Sequence, residues 1–107
     1  MSSEIPEVDV AEAARRQLSG APLIDVREPD EWAEVHASGA ILVPLSEIEN
    51  RVGDDLRRED ELLMICRSGG RSMRAAEFLM AQGFSCVNVG GGTLAWTEAG
   101  LPTESGS

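Results

Sequence analysis

The segment from residue 66 to residue 72 constrains the fold of this chain more than any other feature. It combines one thiol with two arginines, two glycines and two serines: Cys66, Arg67, Ser68, Gly69, Gly70, Arg71 and Ser72. An apolar run, residues 61–65, precedes it, and an amphipathic run, residues 71–82, follows it. These patterns are typical of a buried strand and of a helix. The sequence therefore predicts a strand, a glycine-rich turn and a helix, with the Cys66 thiol at the carboxyl end of the strand and at the mouth of the turn.

This placement predicts a reactive thiol. Ligand sites in open α/β sheets form at the carboxyl ends of strands. Free backbone N–H groups of the turn and of the first helical turn point toward an anion there, and the helix dipole adds positive potential. Free cysteine has a pKa of about 8.5, and helix N-termini with nearby arginines lower it to roughly 3.5 to 7.5. We therefore expect Cys66 to react as a thiolate.

The rest of the chain alternates short β-like runs with helical patterns. This alternation predicts an α/β fold with a parallel sheet and crossover helices. The expected strands cover residues 23–26, 40–43, 61–65 and 85–89, and the expected helices cover residues 10–18, 29–35, 71–82 and 93–99. A capping pair, Ser46 with Glu49, predicts a further helix. With 107 residues, the chain fits one domain, residues 1–107, of which 103–107 are expected to fray.

Charge and composition exclude several classes of partner. Nine basic and nineteen acidic residues give a net charge of −10, which repels nucleic acid and anionic lipid. No basic leader and no apolar run of about 20 residues is visible, so we expect a soluble, cytoplasmic protein that contacts neither nucleic acid nor membrane. Two cysteines without a Cys-x-x-Cys motif or a Cys/His cluster predict a reduced compartment, no metal and no cofactor.

Four segments, in this order, resemble the single-domain rhodaneses, which carry sulfur as a cysteine persulfide. They are residues 23–32, residues 36–40, the loop of residues 66–72, and residues 91–96 followed by 99–102. The resemblance implies a rhodanese-like α/β fold, with a small central parallel sheet flanked by helices on both faces. Val35 departs from the family, which commonly has glycine before His36, and Ala37 replaces a larger aliphatic residue. A β-branched residue tolerates a left-handed backbone poorly, so the turn near His36 is expected to differ.

The resemblance also implies the chemistry. Cys66 would attack the outer sulfur of thiosulfate, release sulfite and become a persulfide, from which a cyanide or thiol acceptor would remove the sulfur. The amides of residues 67–72 would hydrogen-bond the outer sulfur and the developing charge. Gly69 and Gly70 let the backbone curl. Arg67 and Arg71 are candidates for binding the sulfonate, because the guanidinium group presents paired hydrogen-bond donors to oxyanions.

Three other functions compete with the thiosulfate enzyme. Phosphatase and arsenate reductase domains resemble this fold but have one more residue between cysteine and arginine, whereas four residues separate Cys66 from Arg71 here, which disfavours that chemistry. A sulfur-relay module would use the same loop with protein donors and acceptors, such as a thioredoxin-like or sulfur-carrier protein. The intact cysteine loop weakens a purely structural role. The basic loop favours the thiosulfate enzyme.

Other conspicuous residues have simpler interpretations. Asp25 and Arg27 are expected to form a structural ion pair, although they end a strand near the site. His36 is the single histidine, but a preformed thiolate needs no general base. Cys86 is expected to be a buried, inert thiol, with a resolving-thiol role as the alternative. Trp32 and Trp96 are expected to pack in the core or the pocket wall.

Overall fold

A parallel five-stranded sheet forms the centre of the computed structural model, which describes residues 5–54 and 56–106. Its strands are β1 (Glu7–Val8), β2 (Leu23–Asp25), β4 (Ile41–Leu42), β5 (Glu61–Ile65) and β6 (Ser85–Val89). The sheet order is β1-β6-β5-β2-β4, and every neighbouring pair is parallel. A separate antiparallel pair joins β3 (His36–Ala37) to β7 (Thr103–Glu104).

Helices cover both faces of the sheet, as the sequence predicts. They are α1 (Val10–Leu18), α2 (Pro29–Glu34), α3 (Gly70–Ala81) and α4 (Gly92–Glu98). Alternate residues of a strand point to opposite faces. Leu62 and Met64 of β5 accordingly join the core cluster that contains Leu79 of α3. Leu63 and Ile65 join the cluster that contains Trp96 of α4. The two-sided burial explains why β5 is apolar along most of its length.

The structure confirms the predicted helices and strands around the loop, and their observed ends differ from the predicted ends by at most one residue. One predicted helix is absent. The helix expected at Ser46 is replaced by two short 3₁₀ helices, Leu45–Glu47 and Glu49–Arg51. Pro44 precedes the first of them and the Glu47 N–H bonds to its carbonyl oxygen at 2.7 Å, which closes a tight turn.

The carboxyl-terminal segment also differs from expectation. Thr103 and Glu104, placed in a frayed tail by the sequence, pair with Ala37 and His36. The Gly106 N–H donates to the Ala33 carbonyl oxygen at 2.7 Å, so the segment also reaches α2. Ser107, together with residues 1–4 and 55, lies outside the described residues.

The carboxyl ends of three adjacent strands converge at one edge of the sheet. Cys66 follows β5, Asp25 ends β2, and Asn88 is the penultimate residue of β6. The strand order makes β5 the neighbour of both β2 and β6. Polar side chains from three strands therefore surround the start of the glycine-rich loop. Among the described residues, no helix has the length and apolar character needed to cross a membrane.

Candidate active site

Cys66 lies at the bottom of the loop, under the N-terminus of α3. The residue is only 1% exposed, so the thiol is deeper than its expected position at the mouth of the turn. Gly69, with φ of 121°, is the residue before α3, and this positive φ requires glycine because a side chain is rarely tolerated there. The turn at Gly69 reverses the chain so that its amide faces back toward the sulfur.

Several donors point at the Cys66 sulfur. The Gly69 N–H lies 3.0 Å from Sγ and the Ser72 hydroxyl oxygen lies 3.3 Å from it. Burial raises the pKa of the Cys66 thiol. Hydrogen bonds from the Ser72 hydroxyl and from the Ser72, Gly69 and Ser68 amides outweigh this effect, so the pKa is below its ordinary value. The loop therefore favours the thiolate even though the residue is buried.

The N-terminus of α4 holds the start of the loop. The Thr93 N–H and hydroxyl both donate to the Cys66 carbonyl oxygen, at 2.8 and 3.1 Å, and the Leu94 N–H donates to the Arg67 carbonyl oxygen at 3.2 Å. Gly92 precedes this contact, and a Cβ at that position would lie 2.4 Å from the Cys66 oxygen. Glycine is required there because two backbones approach closely. The contact fixes the direction in which the loop leaves β5.

Asn88 and Glu7 support the loop from the other side. Ser72, which is fully buried, lies with its Oγ 2.6 Å from the Asn88 Oδ1. The Asn88 Nδ2 donates to the Gly69 carbonyl oxygen and to the Glu7 Oε1, both at 3.2 Å. A chain of hydrogen bonds thus runs from β1 through β6 to the first turn of α3.

Arg71 is paired within the protein. Its Nη1 and Nη2 donate to the two carboxylate oxygens of Glu31 at 2.7 and 2.8 Å. The hydrogen bond from Arg71 lowers the pKa of Glu31 to about 2 against the opposing effect of burial, and the nearby Arg27 also contributes. Arg71 remains close enough to Cys66 for the thiolate charge to raise the pKa of the guanidinium. Arg71 thus links α2 to the loop and places positive charge near the sulfur.

Arg67 is exposed and lines a cleft of about 360 Å³ beside the loop. The cleft lies between α2 and α4, whose Glu31, Glu34, Leu94 and Glu98 also line it. No hydrogen bond or ion pair of the Arg67 side chain is present among the described residues. Its guanidinium is therefore available to a ligand.

The architecture of this site has known counterparts. The Rhodanese-like domain profile matches residues 9–99. This chain belongs to the rhodanese-like domain family. The four sequence segments that predicted this family lie wholly or partly within the matched residues. The loop of residues 66–72 lies at the carboxyl edge of the sheet, as expected.

Relatives of this rhodanese domain carry names that refer to sulfur transfer. Thiosulfate sulfurtransferase 16 of Arabidopsis thaliana, a chloroplastic protein, is 34% identical over 116 residues, which cover 96% of this chain and 97% of that protein. The putative sulfur carrier protein YrkF of Bacillus subtilis is 37% identical over 100 residues, or 90% of this chain. The match spans about half of that protein, 53%. Together with the family, these names support sulfur transfer as the general class of activity.

Solved structures show the same fold. The crystal structure of a rhodanese-related protein from Thermoplasma volcanium has a TM-score of 0.82 and 31% identity, covering 92% of this chain and 97% of that one. The CoADR-RHD protein of Bacillus anthracis has a TM-score of 0.80 and 34% identity, but the match covers 87% of this chain and only 17% of that chain. The rhodanese fold therefore also occurs as part of a longer polypeptide.

The buried pair of Asp25 and Arg27 supports the wall of the cleft in this rhodanese domain. Arg27 Nε and Nη2 donate to Asp25 Oδ1 and Oδ2 at 3.0 and 2.9 Å, and Nη2 also donates to the Val35 carbonyl oxygen at 2.7 Å. Asp25 is fully buried and Arg27 is 4% exposed. Removal of either partner would leave a buried charge uncompensated. These contacts confirm the predicted ion pair.

His36 is part of a structural contact around β3. Its Nδ1 donates to the Trp32 carbonyl oxygen at 2.8 Å, and its ring stacks on the Trp32 ring with centroids 3.6 Å apart. Its Nε2 lies 3.8 Å from the Glu104 Oε1 of β7. Val35 has φ of −166°, an extended backbone that suits a β-branched residue, so its departure from the family pattern causes no strain.

Cys86 differs sharply from Cys66. It lies in β6, is buried in the cluster that faces α3, and forms no disulfide. Burial without compensating donors raises the pKa of the Cys86 thiol to about 12. A thiol with this pKa contains a negligible thiolate fraction at neutral pH. This environment is unfavourable to a resolving-thiol role.

Sequence reasoning missed four residues that hold the site: Glu7, Glu31, Asn88 and Thr93. Only Asn88 could have been identified from the sequence. It is an amide within the mostly apolar run of β6, and a buried amide needs hydrogen-bond partners. Ser68 and Gly70, both predicted to belong to the site, are exposed residues of the loop and the start of α3. In the described part of the chain, no group of three or more His, Cys, Asp or Glu residues is placed to hold a metal ion.

The Arg71–Glu31 pair predicts a pH-dependent contribution to stability. Because the pKa of Glu31 is lowered from 4.5 to about 2, the contribution is complete above pH 4.5 and is lost as the pH falls through about 2. Glu31→Gln should lower the free energy of unfolding by about 1 kcal/mol at pH 7. Urea unfolding at pH 7, 4 and 3 should show that the difference in the free energy of unfolding between Glu31→Gln and wild type becomes smaller as the pH falls.

Glu34→Gln is the matched control for Glu31→Gln, because Glu34 is an exposed carboxylate in the same helix. Its free energy of unfolding should stay close to wild type. A Glu31→Gln difference that is constant from pH 7 to pH 3 would contradict the assigned role of the ion pair.

Proposed function

We propose that this rhodanese domain is a sulfurtransferase that moves the outer sulfur of thiosulfate to cyanide or a thiol through a persulfide on Cys66. The observation that carries the proposal is the set of donors converging on the Cys66 sulfur, led by the Gly69 amide at 3.0 Å. These donors favour the thiolate, which is the nucleophilic form of cysteine. The position of Cys66 below the N-terminus of α3 adds the helix dipole to the same effect.

In the first half-reaction the Cys66 thiolate attacks the outer sulfur of thiosulfate. A bond forms between Sγ and that sulfur while the sulfur–sulfur bond of thiosulfate breaks, and its electron pair leaves with sulfite. The outer sulfur remains on Cys66 as a persulfide. The amides of residues 67–72 are proposed to hydrogen-bond this sulfur and its charge.

In the second half-reaction an acceptor nucleophile attacks the outer sulfur of the persulfide. The bond between the two sulfurs breaks and its electrons return to Sγ, which regenerates the thiolate. Cyanide leaves as thiocyanate, and a thiolate acceptor leaves as a persulfide. The donors that stabilise the Cys66 thiolate also make it a good leaving group in this step.

The burial of Cys66 limits how the donor approaches. With the residue only 1% exposed, little of its surface is open to the donor. We propose that the outer sulfur enters the loop while the sulfonate stays at the rim. Arg67 is exposed at that rim and has no partner among the described residues, so it is the proposed anchor of the sulfonate.

Arg71 is proposed to assist in a different way. Both terminal nitrogens of its guanidinium are already bound to Glu31. The main contribution of Arg71 is therefore its positive charge near Cys66. It offers few free hydrogen-bond donors to the sulfonate. Arg67 and Arg71 should then affect donor binding unequally.

A sulfur-relay role is the second candidate, because one relative carries the name of a sulfur carrier protein. In that case protein persulfides donate, and a thioredoxin-like or sulfur-carrier protein accepts. The net charge of −10 would serve partner recognition. Either role needs a reduced Cys66, and both cysteines are free, so we place the protein in a reducing compartment, the cytoplasm.

Intact-mass measurement tests the central step. Incubation with thiosulfate should add the mass of one sulfur atom, and cyanide should remove it with release of thiocyanate. Cys66→Ser should not gain the sulfur because the nucleophile is absent, whereas the matched control Cys86→Ser should gain it. A wild-type protein that gains no sulfur from thiosulfate but gains it from a protein persulfide would replace the enzyme proposal with the relay role.

Steady-state kinetics test Arg67 as the anchor of the sulfonate. Arg67→Ala should raise KM for thiosulfate roughly tenfold, because the loss of a charge-assisted hydrogen bond of about 1.5 kcal/mol corresponds to about that factor. Arg74→Ala, which removes an exposed arginine from the next turn of α3, is the matched control and should keep KM near wild type. An unchanged KM in Arg67→Ala would reject Arg67 as the sulfonate anchor.

A further inference from the structure

The Ser72 hydroxyl has one proton and three acceptors within reach. Its oxygen lies 2.6 Å from Asn88 Oδ1, 3.2 Å from the Gly69 carbonyl oxygen and 3.3 Å from Cys66 Sγ. A hydroxyl donates to one strong acceptor at a time. The three contacts cannot all be full hydrogen bonds from Ser72, so the position of its proton depends on which acceptor is strongest.

The Asn88 amide is held in one orientation. Its Nδ2 faces the Glu7 Oε1 and the Gly69 carbonyl oxygen, which accept hydrogen bonds. If the amide were reversed, its oxygen would face these two acceptors without a hydrogen. The Asn88 oxygen must therefore face Ser72. The residue is only 1% exposed, and its backbone N–H is fixed by the Pro6 carbonyl oxygen at 2.8 Å.

The charge on Cys66 decides whether the Ser72 proton faces Asn88 Oδ1 or Cys66 Sγ. A neutral thiol sulfur is a weak acceptor, whereas an amide oxygen at 2.6 Å is a strong one. The Ser72 proton therefore faces Asn88 while Cys66 is protonated. A thiolate attracts a charge-assisted hydrogen bond. When Cys66 ionises, the hydroxyl turns toward Sγ, and the buried Asn88 oxygen loses its partner.

We propose that Asn88 is a positioning residue that competes with the Cys66 sulfur for the Ser72 proton and so sets how readily Cys66 ionises. The inference rests on the proposed function, in which Cys66 is the reacting group. It also assigns the hydroxyl two positions in the cycle. Ser72 faces the sulfur when Cys66 is a thiolate, and it faces Asn88 when the outer sulfur is bound, because Sγ is then neutral.

The other charged groups around Cys66 act separately from this competition. Arg71 of α3 places positive charge near Cys66, and Asp25 of β2 acts in turn on Arg71. Arg67 follows Cys66 in the loop, and Glu7 of β1 reaches the site through Asn88. Substitutions of Asn88 and Ser72 leave all four charges in place. A change in the ionisation of Cys66 in those variants therefore does not come from a changed number of charges.

The test is the pH dependence of iodoacetamide alkylation at Cys66, followed by mass spectrometry of the peptide that contains it. Asn88→Ala and the nearly isosteric Asn88→Leu should each lower the midpoint of the alkylation-rate curve by roughly one pH unit, which is a tenfold change in the ionisation constant of Cys66. Ser72→Ala should move the midpoint up, because it removes a donor to the thiolate. In a Ser72→Ala background, the Asn88 substitutions should have no further effect.

Two results would overturn the proposal. One is a midpoint that stays the same or rises in both Asn88 variants, which is the result expected if Asn88 only supports the loop through Gly69. The other is a downward shift that persists when Ser72 is already alanine. A purely structural role would not be cancelled by the loss of the Ser72 hydroxyl, so the double variants distinguish the two roles.

A wild-type measurement covers the case in which both Asn88 variants fail to fold. The side-chain carbonyl carbon of Asn88, followed by NMR, should shift with the same midpoint as Cys66 because its hydrogen bond is lost. A resonance that stays constant through the Cys66 titration would overturn the proposal. Neither experiment uses thiosulfate, so a failure here is distinguishable from a failure of sulfur loading.

Discussion

The hydrogen bonds that converge on the Cys66 sulfur are the interaction on which the rest of the site depends. Burial alone would make this thiol as inert as the thiol of Cys86. At Cys86, burial raises the pKa to about 12. The Gly69 amide at 3.0 Å and the other donors of the loop reverse that effect at Cys66. Two thiols of one small domain thus differ in reactivity because one has donors and the other lacks them.

Contacts from α4, α2 and β1 keep those donors in place. α4 binds the first two carbonyls of the loop through Thr93 and Leu94, and α2 binds its far end through the Glu31–Arg71 pair. The edge strand β1 contributes Glu7, which orients Asn88. The amides are therefore pre-organised, and no large rearrangement is needed when charge develops on sulfur.

Much of this could be predicted from the sequence because local patterns determine it. The apolar run of β5, the glycine turn and the helix after it predicted the location of Cys66, and the alternation of strands and helices predicted the sheet. The contacts of Glu7 with Asn88 and of Glu31 with Arg71 join residues 81 and 40 positions apart, so no local pattern contains them. The depth of Cys66 and the pairing of Thr103–Glu104 likewise depend on packing between distant segments.

Sulfur transfer at this site depends on the ionisation of Cys66 in the folded protein. The difference in ultraviolet thiolate absorbance between wild type and Cys66→Ser, followed as a function of pH, measures this ionisation without any substrate. We expect the midpoint of this titration to lie below the ordinary cysteine pKa of about 8.5. A midpoint at or above that value would show that burial outweighs the donors of the loop, so that Cys66 would not be an activated thiolate.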